Sequence, residues 1–247
     1  MTTAQISERD QIALRCRKLR IAESMADRAM TTRGETHQEY LIRLFDSEIE
    51  SRRNARAARE MRHAGFPYPQ SFDDFDSSEV TFPDGFSIKD CRNLTFIPEC
   101  ANVIMIGRTG TGKTMLSISM GMEACRNDIP VQFYRSASLV NMFSEYKAAG
   151  KLSELTEKLD KAKLLILDEF GYIPYDQTGS QLFYDYISSI YMKKPIILNT
   201  NKEFSKWPSV LYDKDMAAAL IGRLTQRCHI LVFNGRNRRI SDDNEKK

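Results

Sequence analysis

The 247-residue sequence lacks paired cysteines, and this absence excludes two kinds of stabilising site. Its five cysteines are scattered, with no CxxC pair and no cluster of cysteine and histidine. Neither a disulfide framework nor a zinc site is therefore expected. The thiols are expected to be reduced, as they are in a cytosol.

Long hydrophobic runs and a strong charge imbalance are also missing. No apolar run approaches the roughly 20 residues that cross a bilayer, and the first ten residues contain no apolar core of a secretory signal. Lys and Arg number 36 against 33 Asp and Glu, a net charge of +3, so the total charge predicts no general affinity for polyanions. We expect a cytoplasmic protein without a membrane segment.

The patterns that are present divide the chain into four parts. Residues 1–65 are helical in periodicity and rich in arginine, with a break at residues 31–34 between two helical stretches. Residues 66–98 form an extended, turn-rich linker. Residues 99–241 form the main domain, and residues 242–247 form a polar tail.

The main domain alternates short apolar runs with amphipathic stretches. Strands are predicted at residues 103–106, 131–134, 164–167, 195–198 and 229–233, and helices near 113–127, 137–149, 152–162, 178–192 and 213–227. Buried strands separated by helices of this length are typical of a parallel sheet that is covered on both faces. The sequence therefore predicts a three-layer α/β domain with a central parallel five-stranded sheet.

A glycine-rich loop, GRTGTGKT, follows the first predicted strand. It satisfies the pattern G-x-x-x-x-G-K-[ST], whose backbone amides cradle phosphates, and it lies between a strand and a helix as that motif requires. Lys113 would contact the β and γ phosphates and Thr114 would ligate Mg²⁺. The alternative is a turn that holds no ligand. The predicted nucleotide-binding residues are Gly107, Arg108, Thr109, Gly110, Thr111, Gly112, Lys113 and Thr114.

Two adjacent acids, Asp168 and Glu169, end the third predicted strand. Ligands bind at the carboxyl ends of the strands in open α/β sheets, so Asp168 is a candidate partner, with Thr114, for Mg²⁺. Glu169 is a candidate for orienting or deprotonating the attacking water. The alternative is a solvated pair that caps the strand.

Small polar residues end the next strand, in the order Asn199-Thr-Asn201. In an open sheet they would lie beside Asp168, within reach of a γ-phosphate or its water. A polar strand end without function is the alternative, and only the two preceding motifs favour the functional interpretation.

These motifs, with LLILDEFG, NTN, FSKW and IGRLTQR, resemble the AAA+ ATPases of the IstB/DnaC type. The arginine-rich stretch LIRLFDSEIESRRN and the sequence RHAGFP are similar to the helices that precede the ATPase in IstB-like transposition helpers. The resemblance covers residues 10 to 240. It implies a P-loop NTPase (AAA+) fold behind a small all-helical N-terminal domain, with no C-terminal lid domain.

The resemblance also implies roles for residues outside the phosphate loop. Asn201 matches the sensor-1 residue, and Arg223 matches the arginine finger that one subunit presents to its neighbour's ATP, with Arg227 as the competing candidate. Arg239 takes the place of sensor 2. Asn237 and Arg238 replace the family's Ser and Tyr just before it, which puts that last assignment in doubt.

A row of arginines follows residue 51. Arg52, Arg56 and Arg59 fall on one helical face, with Arg53 beside them, and such a row can neutralise DNA phosphates. The alternatives are pairing with nearby glutamates or docking of a partner protein. The resemblance favours duplex DNA bound with little sequence preference.

The combined prediction is an Mg²⁺-dependent ATPase that assists transposition. It would form an ATP-dependent homo-oligomer on target duplex DNA and cooperate with a cognate transposase. The main alternative is a replicative helicase loader of the DnaC/DnaI type. A small-molecule phosphotransferase and a nucleotide-gated adaptor without hydrolysis are the other classes considered.

Overall fold

A computed structural model describes residues 7–237, and the chain divides into two compact units, Met1–Arg56 and Ala57–Lys247. The division falls inside a long helix, upstream of the domain boundary predicted at residue 65. The reason lies in the last turns of that helix. There Ala64 is buried and Met61 packs against the core of the second unit.

The first unit consists of helices α1 (Glu8–Lys18), α2 (Ser24–Thr31) and the first part of α3 (His37–Ala64). Cys16, Met25 and Leu44 form its small core. The break predicted at residues 31–34 is present. A second break, between α1 and α2, was missed because neither glycine nor proline marks it, although Arg20 there adopts a φ of 56°.

A six-stranded sheet forms the centre of the second unit, in the order β1-β6-β2-β5-β4-β3. All neighbours from β6 to β3 are parallel, which confirms the predicted five-stranded parallel sheet, while β1 pairs antiparallel with β6. The prediction missed β1 because two residues show no alternation. The strands are β1 (Val80–Thr81), β2 (Asn102–Gly107), β3 (Val131–Arg135), β4 (Leu164–Phe170), β5 (Ile196–Thr200) and β6 (Cys228–Phe233).

Helices cover both faces of this sheet. They are α4 (Ile88–Asn93), α5 (Lys113–Arg126), α6 (Ser136–Ala148), α7 (Leu152–Asp160), α8 (Gln177–Ser189) and α9 (Lys214–Thr225), with 3₁₀ turns at Phe72–Asp74 and Phe204–Ser209. Alternate residues of β4 pack into the hydrophobic cores on opposite faces of the sheet. Leu164 and Ile166 pack with α4 and α5, whereas Leu165 and Leu167 pack with α6, α8 and α9. The sheet is therefore buried on both faces, as predicted.

Among the helices of residues 7–237, none combines the length and the apolar character that crossing a membrane would require.

Candidate nucleotide-binding site

The predicted phosphate loop connects the end of β2 to the start of α5. Gly110 and Gly112 adopt φ values of +81° and +100°, a left-handed region that favours glycine. A β-carbon on Gly110 would lie 1.9 Å from Asn237 Oδ1, and one on Gly112 would lie 3.2 Å from the Phe75 ring. Both glycines are thus favoured by conformation, and an added β-carbon would also displace the Asn237 side chain or the Phe75 ring.

Lys113 is buried at the first turn of α5. Its ammonium group donates hydrogen bonds of 2.6 Å to the carbonyl oxygens of Gly107 and Arg108. The hydroxyl of Thr111 donates to the same Arg108 carbonyl at 2.8 Å. These bonds close the loop on itself and place a cation beside the N-terminus of α5, where anions are favoured.

Thr114 and Asp168 are in contact although 54 residues separate them. The Thr114 hydroxyl lies 3.0 Å from both carboxylate oxygens of Asp168, and Asp168 is only 5% exposed. Mg²⁺ in ATPase sites is held by one or two protein oxygens together with phosphates and waters, so this donor pair fits the ion that the phosphate loop implies.

A β-bulge in β4 contains both acids. Leu167 pairs with Leu198 and Phe170 with Thr200, so Asp168 and Glu169 together lie opposite a single residue of β5, Asn199. Glu169 has a φ of +55°, uncommon for a residue with a side chain. Bulges near active sites redirect side chains. Here Asp168 is buried against α5, and Glu169 turns into the cleft.

The Glu169 carboxylate is half exposed and forms an ion pair with Arg135. Arg135 Nε, at the end of β3, lies 3.6 Å from its Oε2 atom. Arg135 was not among the predicted site residues. Its position at the carboxyl end of a predicted strand is the sequence feature that could have indicated a place near the site.

Asn199 belongs to the strand end that was expected beside Asp168, and it contacts that carboxylate directly. Its Nδ2 atom donates to Asp168 Oδ1 at 2.8 Å and to Ser117 Oγ at 2.9 Å. Its Oδ1 atom is buried and finds no hydrogen-bond partner within residues 7–237. An unsatisfied acceptor beside Asp168 fits a site whose metal carries water ligands. Asn199 faces α5 because residues two apart in a strand share a face, and Ile197 packs on the α5 side of the sheet.

One cleft of about 250 Å³ collects most of the predicted site residues. Thr109 to Thr114, Asp168, Glu169 and Asn201 line it. Gly107 and Arg108 are not among its lining residues. Asn199 and Thr200, from the strand end expected beside Asp168, also line it, and so do three residues that were not predicted: Tyr68, Met115 and Tyr172.

Arg223 lies at the opposite edge of the sheet from this cleft. The carbonyl of the next residue, Leu224, accepts a 2.9 Å bond from Asn102, the first residue of β2, whereas the phosphate loop starts at Gly107, the last residue of β2. About 17 Å of strand separates the two ends. Arg223 stacks over the Tyr184 ring at 5.0 Å.

The other two arginines of the prediction take different positions. Arg227 lies next to the start of β6, and its guanidinium donates to the Glu99 carbonyl at 3.4 Å. Arg239, the sensor-2-like candidate, lies outside the described residues.

The predicted DNA-binding arginines lie on α3, and all four are exposed. Arg52 donates at 2.8 Å to Glu48, a buried carboxylate that also pairs with Arg28. Arg59 lies 3.9 Å from Glu60. Arg52 therefore has a structural partner of the kind considered as an alternative to DNA.

A family model and several proteins of similar sequence match most of the chain. The model of the family described as IstB-like ATP binding protein matches residues 13–246. The ATP-binding protein of insertion sequence IS5376 from Geobacillus stearothermophilus is 31% identical over 85% of this chain and 83% of its own. That of insertion sequence IS232 from Bacillus thuringiensis subsp. berliner is 29% identical over 83% and 82%.

Solved structures share the fold at low identity. DnaI superposes with a TM-score of 0.54 at 19% identity, over 68% of this chain and 90% of that one. AMPPCP-bound DnaA from Aquifex aeolicus superposes with a TM-score of 0.55 at 18% identity, over 74% and 55%. At this identity the likeness concerns the fold alone, and it confirms the predicted P-loop AAA+ fold.

Proposed function

We propose that this chain, an ATPase that belongs to the family of IstB-like ATP-binding proteins, is a helper of DNA transposition. In this proposal it assembles on target duplex DNA in its ATP-bound form, cooperates with a cognate transposase, and uses hydrolysis to regulate the assembly. The observation that carries the transposition part is that relatives matching more than four fifths of both chains are named as insertion-sequence proteins.

The geometry of the cleft supports a role for each residue in hydrolysis. We assign Mg²⁺ to Thr114 and Asp168, which already share a hydrogen bond, and phosphate binding to Lys113 and the loop amides. Glu169, directed into the cleft by the bulge, would orient the attacking water. Asn201 would contact the γ-phosphate or that water.

The position of Arg223 supports an oligomer. Because it lies at the far edge of the sheet from its own phosphate loop, it can serve as an arginine finger only for the ATP of another copy. In that arrangement ATP lies between two subunits, so nucleotide binding and assembly are linked.

The exposed surface of α3 supports the proposal that the chain binds both DNA and a transposase. Arg53 and Arg56 are exposed and suited to DNA phosphates. Earlier on the same helix, Ile42, Phe45 and Ile49 are 61%, 52% and 64% exposed. Exposed apolar side chains of this size mark protein contacts, and we assign this face to the transposase. We expect the transposase to co-purify with the wild-type protein but not with the Phe45→Asp variant.

The central test compares duplex and single-stranded DNA of the same sequence, with and without Mg-ATP. Wild type should bind duplex more tightly with ATP. Lys113→Ala should lose nucleotide binding and the ATP effect, and Glu169→Gln should bind ATP and remain on DNA without turnover. A preference for single strands would instead favour the helicase loader, and normal turnover by Glu169→Gln would remove that residue from its role.

A double variant tests the DNA surface on α3. Arg53→Ala with Arg56→Ala should weaken duplex binding and reduce the slope of log affinity against log salt by about one per lost contact. Arg15→Ala, which removes an exposed arginine from α1, is the matched control. Equal losses in the two proteins would contradict the assignment.

A further inference from the structure

Tyr68 lines the nucleotide cleft, although it precedes β2, the first parallel strand of the second unit, by more than thirty residues. It belongs to the segment that follows α3, and its side chain is 43% exposed. Together with Met115 it presents apolar surface to a cleft whose other lining residues on α5, β4 and β5 are mainly polar. The role already assigned to the cleft, phosphate binding and water activation, does not use Tyr68.

The segment around Tyr68 is anchored on both sides. Phe66 packs edge-on against Phe133, with centroids 6.1 Å apart, and its ring occupies the space that a side chain at Gly121 of α5 would need. On the other side, the backbone amide of Gln70 contacts the sulfur of Met122 at 3.0 Å.

Prolines at positions 67 and 69 add stiffness to this anchoring. Each fixes its own φ and restricts the residue before it, so little backbone freedom remains at Tyr68. A residue whose backbone is restricted in this way loses little backbone entropy when a ligand contacts it.

The chemistry of the ligand indicates what the ring contacts. The triphosphate is accounted for by Lys113, Thr114 and Asp168, and the remaining part of ATP with a flat apolar face is its purine. Tyr172, the other tyrosine of the cleft, follows Glu169 by three residues and so lies at the γ-phosphate end. Tyr68 belongs to the segment that is anchored on α5, the helix that begins at the phosphate loop.

We propose that the ring of Tyr68 stacks on the purine base of the bound nucleotide and forms the base subsite of this ATPase. The proposal rests on the nucleotide site alone, and it holds whether or not the chain assists transposition. We expect stacking of the base on the ring to raise the affinity for ATP about tenfold.

The test separates base binding from phosphate binding in the full-length protein without DNA. Dissociation constants for ATP, ADP and inorganic tripolyphosphate are measured by calorimetry. Tyr68→Ala should weaken ATP and ADP alike by about tenfold and leave tripolyphosphate unchanged, while Tyr68→Phe should retain wild-type values for all three. Tyr172→Ala is the matched control and should not produce this pattern.

Two results would overturn the proposal. One is wild-type affinity of Tyr68→Ala for ATP. The other is an equal loss for ATP and tripolyphosphate, which would mean that Tyr68 supports the cleft rather than the base. If Tyr68→Ala does not fold, Tyr68→Trp replaces it, and its added fluorescence should respond to ATP but not to tripolyphosphate. A response to both, or to neither, counts against stacking.

Discussion

Asp168 and Glu169 are neighbours in the chain, but their side chains have opposite surroundings. Asp168 accepts hydrogen bonds from Thr114 and Asn199 and is almost fully buried, whereas Glu169 is half exposed beside Arg135. The bulge in β4 produces this difference by giving both residues one partner on β5. One acid can therefore hold the metal side of the site while the other faces the water.

Asn199 and Asn201 offer a prediction at the scale of single residues. Asn199→Ala should lower stability by about 1–3 kcal/mol, since it leaves the buried Asp168 carboxylate without one donor. It should also change the Mg²⁺ dependence of ATP turnover. Asn201→Ala, at an exposed turn position, should reduce turnover with little change in melting temperature.

Thermal melting and Mg²⁺ titrations of ATPase activity check both variants. An Asn199→Ala protein with unchanged stability and unchanged Mg²⁺ dependence would show that its bond to Asp168 has no consequence for the site.

At the scale of secondary-structure elements, the close approach of α6 and α8 depends on a glycine. Gly179 is buried in the first turn of α8, and its amide donates to the cap residue Asp176 at 2.7 Å. A β-carbon there would lie 2.5 Å from Cγ1 of Val140 on α6 and 2.7 Å from the Asp176 carboxylate. Val140 is buried and β-branched, so it has little room to move.

Gly179→Ala is therefore expected to destabilise the fold by about 1–3 kcal/mol through overpacking. Gly222→Ala on α9 is the matched control, because no atom lies within 4 Å of the added carbon, and it should stabilise by about 0.5–1 kcal/mol. Urea unfolding measures both. A stabilised Gly179→Ala protein would mean that the two helices separate at little cost.

At the scale of the whole molecule, the residues proposed for hydrolysis lie at two opposite ends of the sheet. Lys113, Asp168 and Glu169 meet at the carboxyl edge of the sheet, and Arg223 lies at the amino edge. If Arg223 acts in hydrolysis, it acts on a second copy, and the functional unit is larger than the chain.

A mixing experiment tests this arrangement. Glu169→Gln and Arg223→Ala should each be inactive as ATPases, but a mixture should regain activity, because an intact cleft of one variant receives the arginine of the other. Arg227→Ala serves as the comparison for the competing arginine. Absence of any recovery, with both proteins able to bind ATP and assemble, would contradict a shared site.

The expected helices and strands of the ATPase unit were confirmed within a few residues, and so was the meeting of the phosphate loop with the acids of β4. These succeeded because each depends on local signals, such as apolar runs of strand length and the two glycines before Lys113. The break between α1 and α2 and the strand β1 carry no such signal. The partner of Arg52 was foreseen only as one of several possibilities, since helical spacing permits several pairings.

The class of this protein follows from local sequence patterns: the phosphate loop, the acids after a buried run and the alternation of strands and helices each occupy consecutive residues. The direct contacts within the cleft, and the presence of Tyr68 in it, follow from the tertiary structure. Asn199 reaches Asp168 because β5 lies between β2 and β4, Glu169 faces the cleft because β4 bulges, and Tyr68 lines it because Phe66 and Gln70 are anchored on α5. Each contact joins segments far apart in the chain, and their register is set by packing rather than by any local pattern.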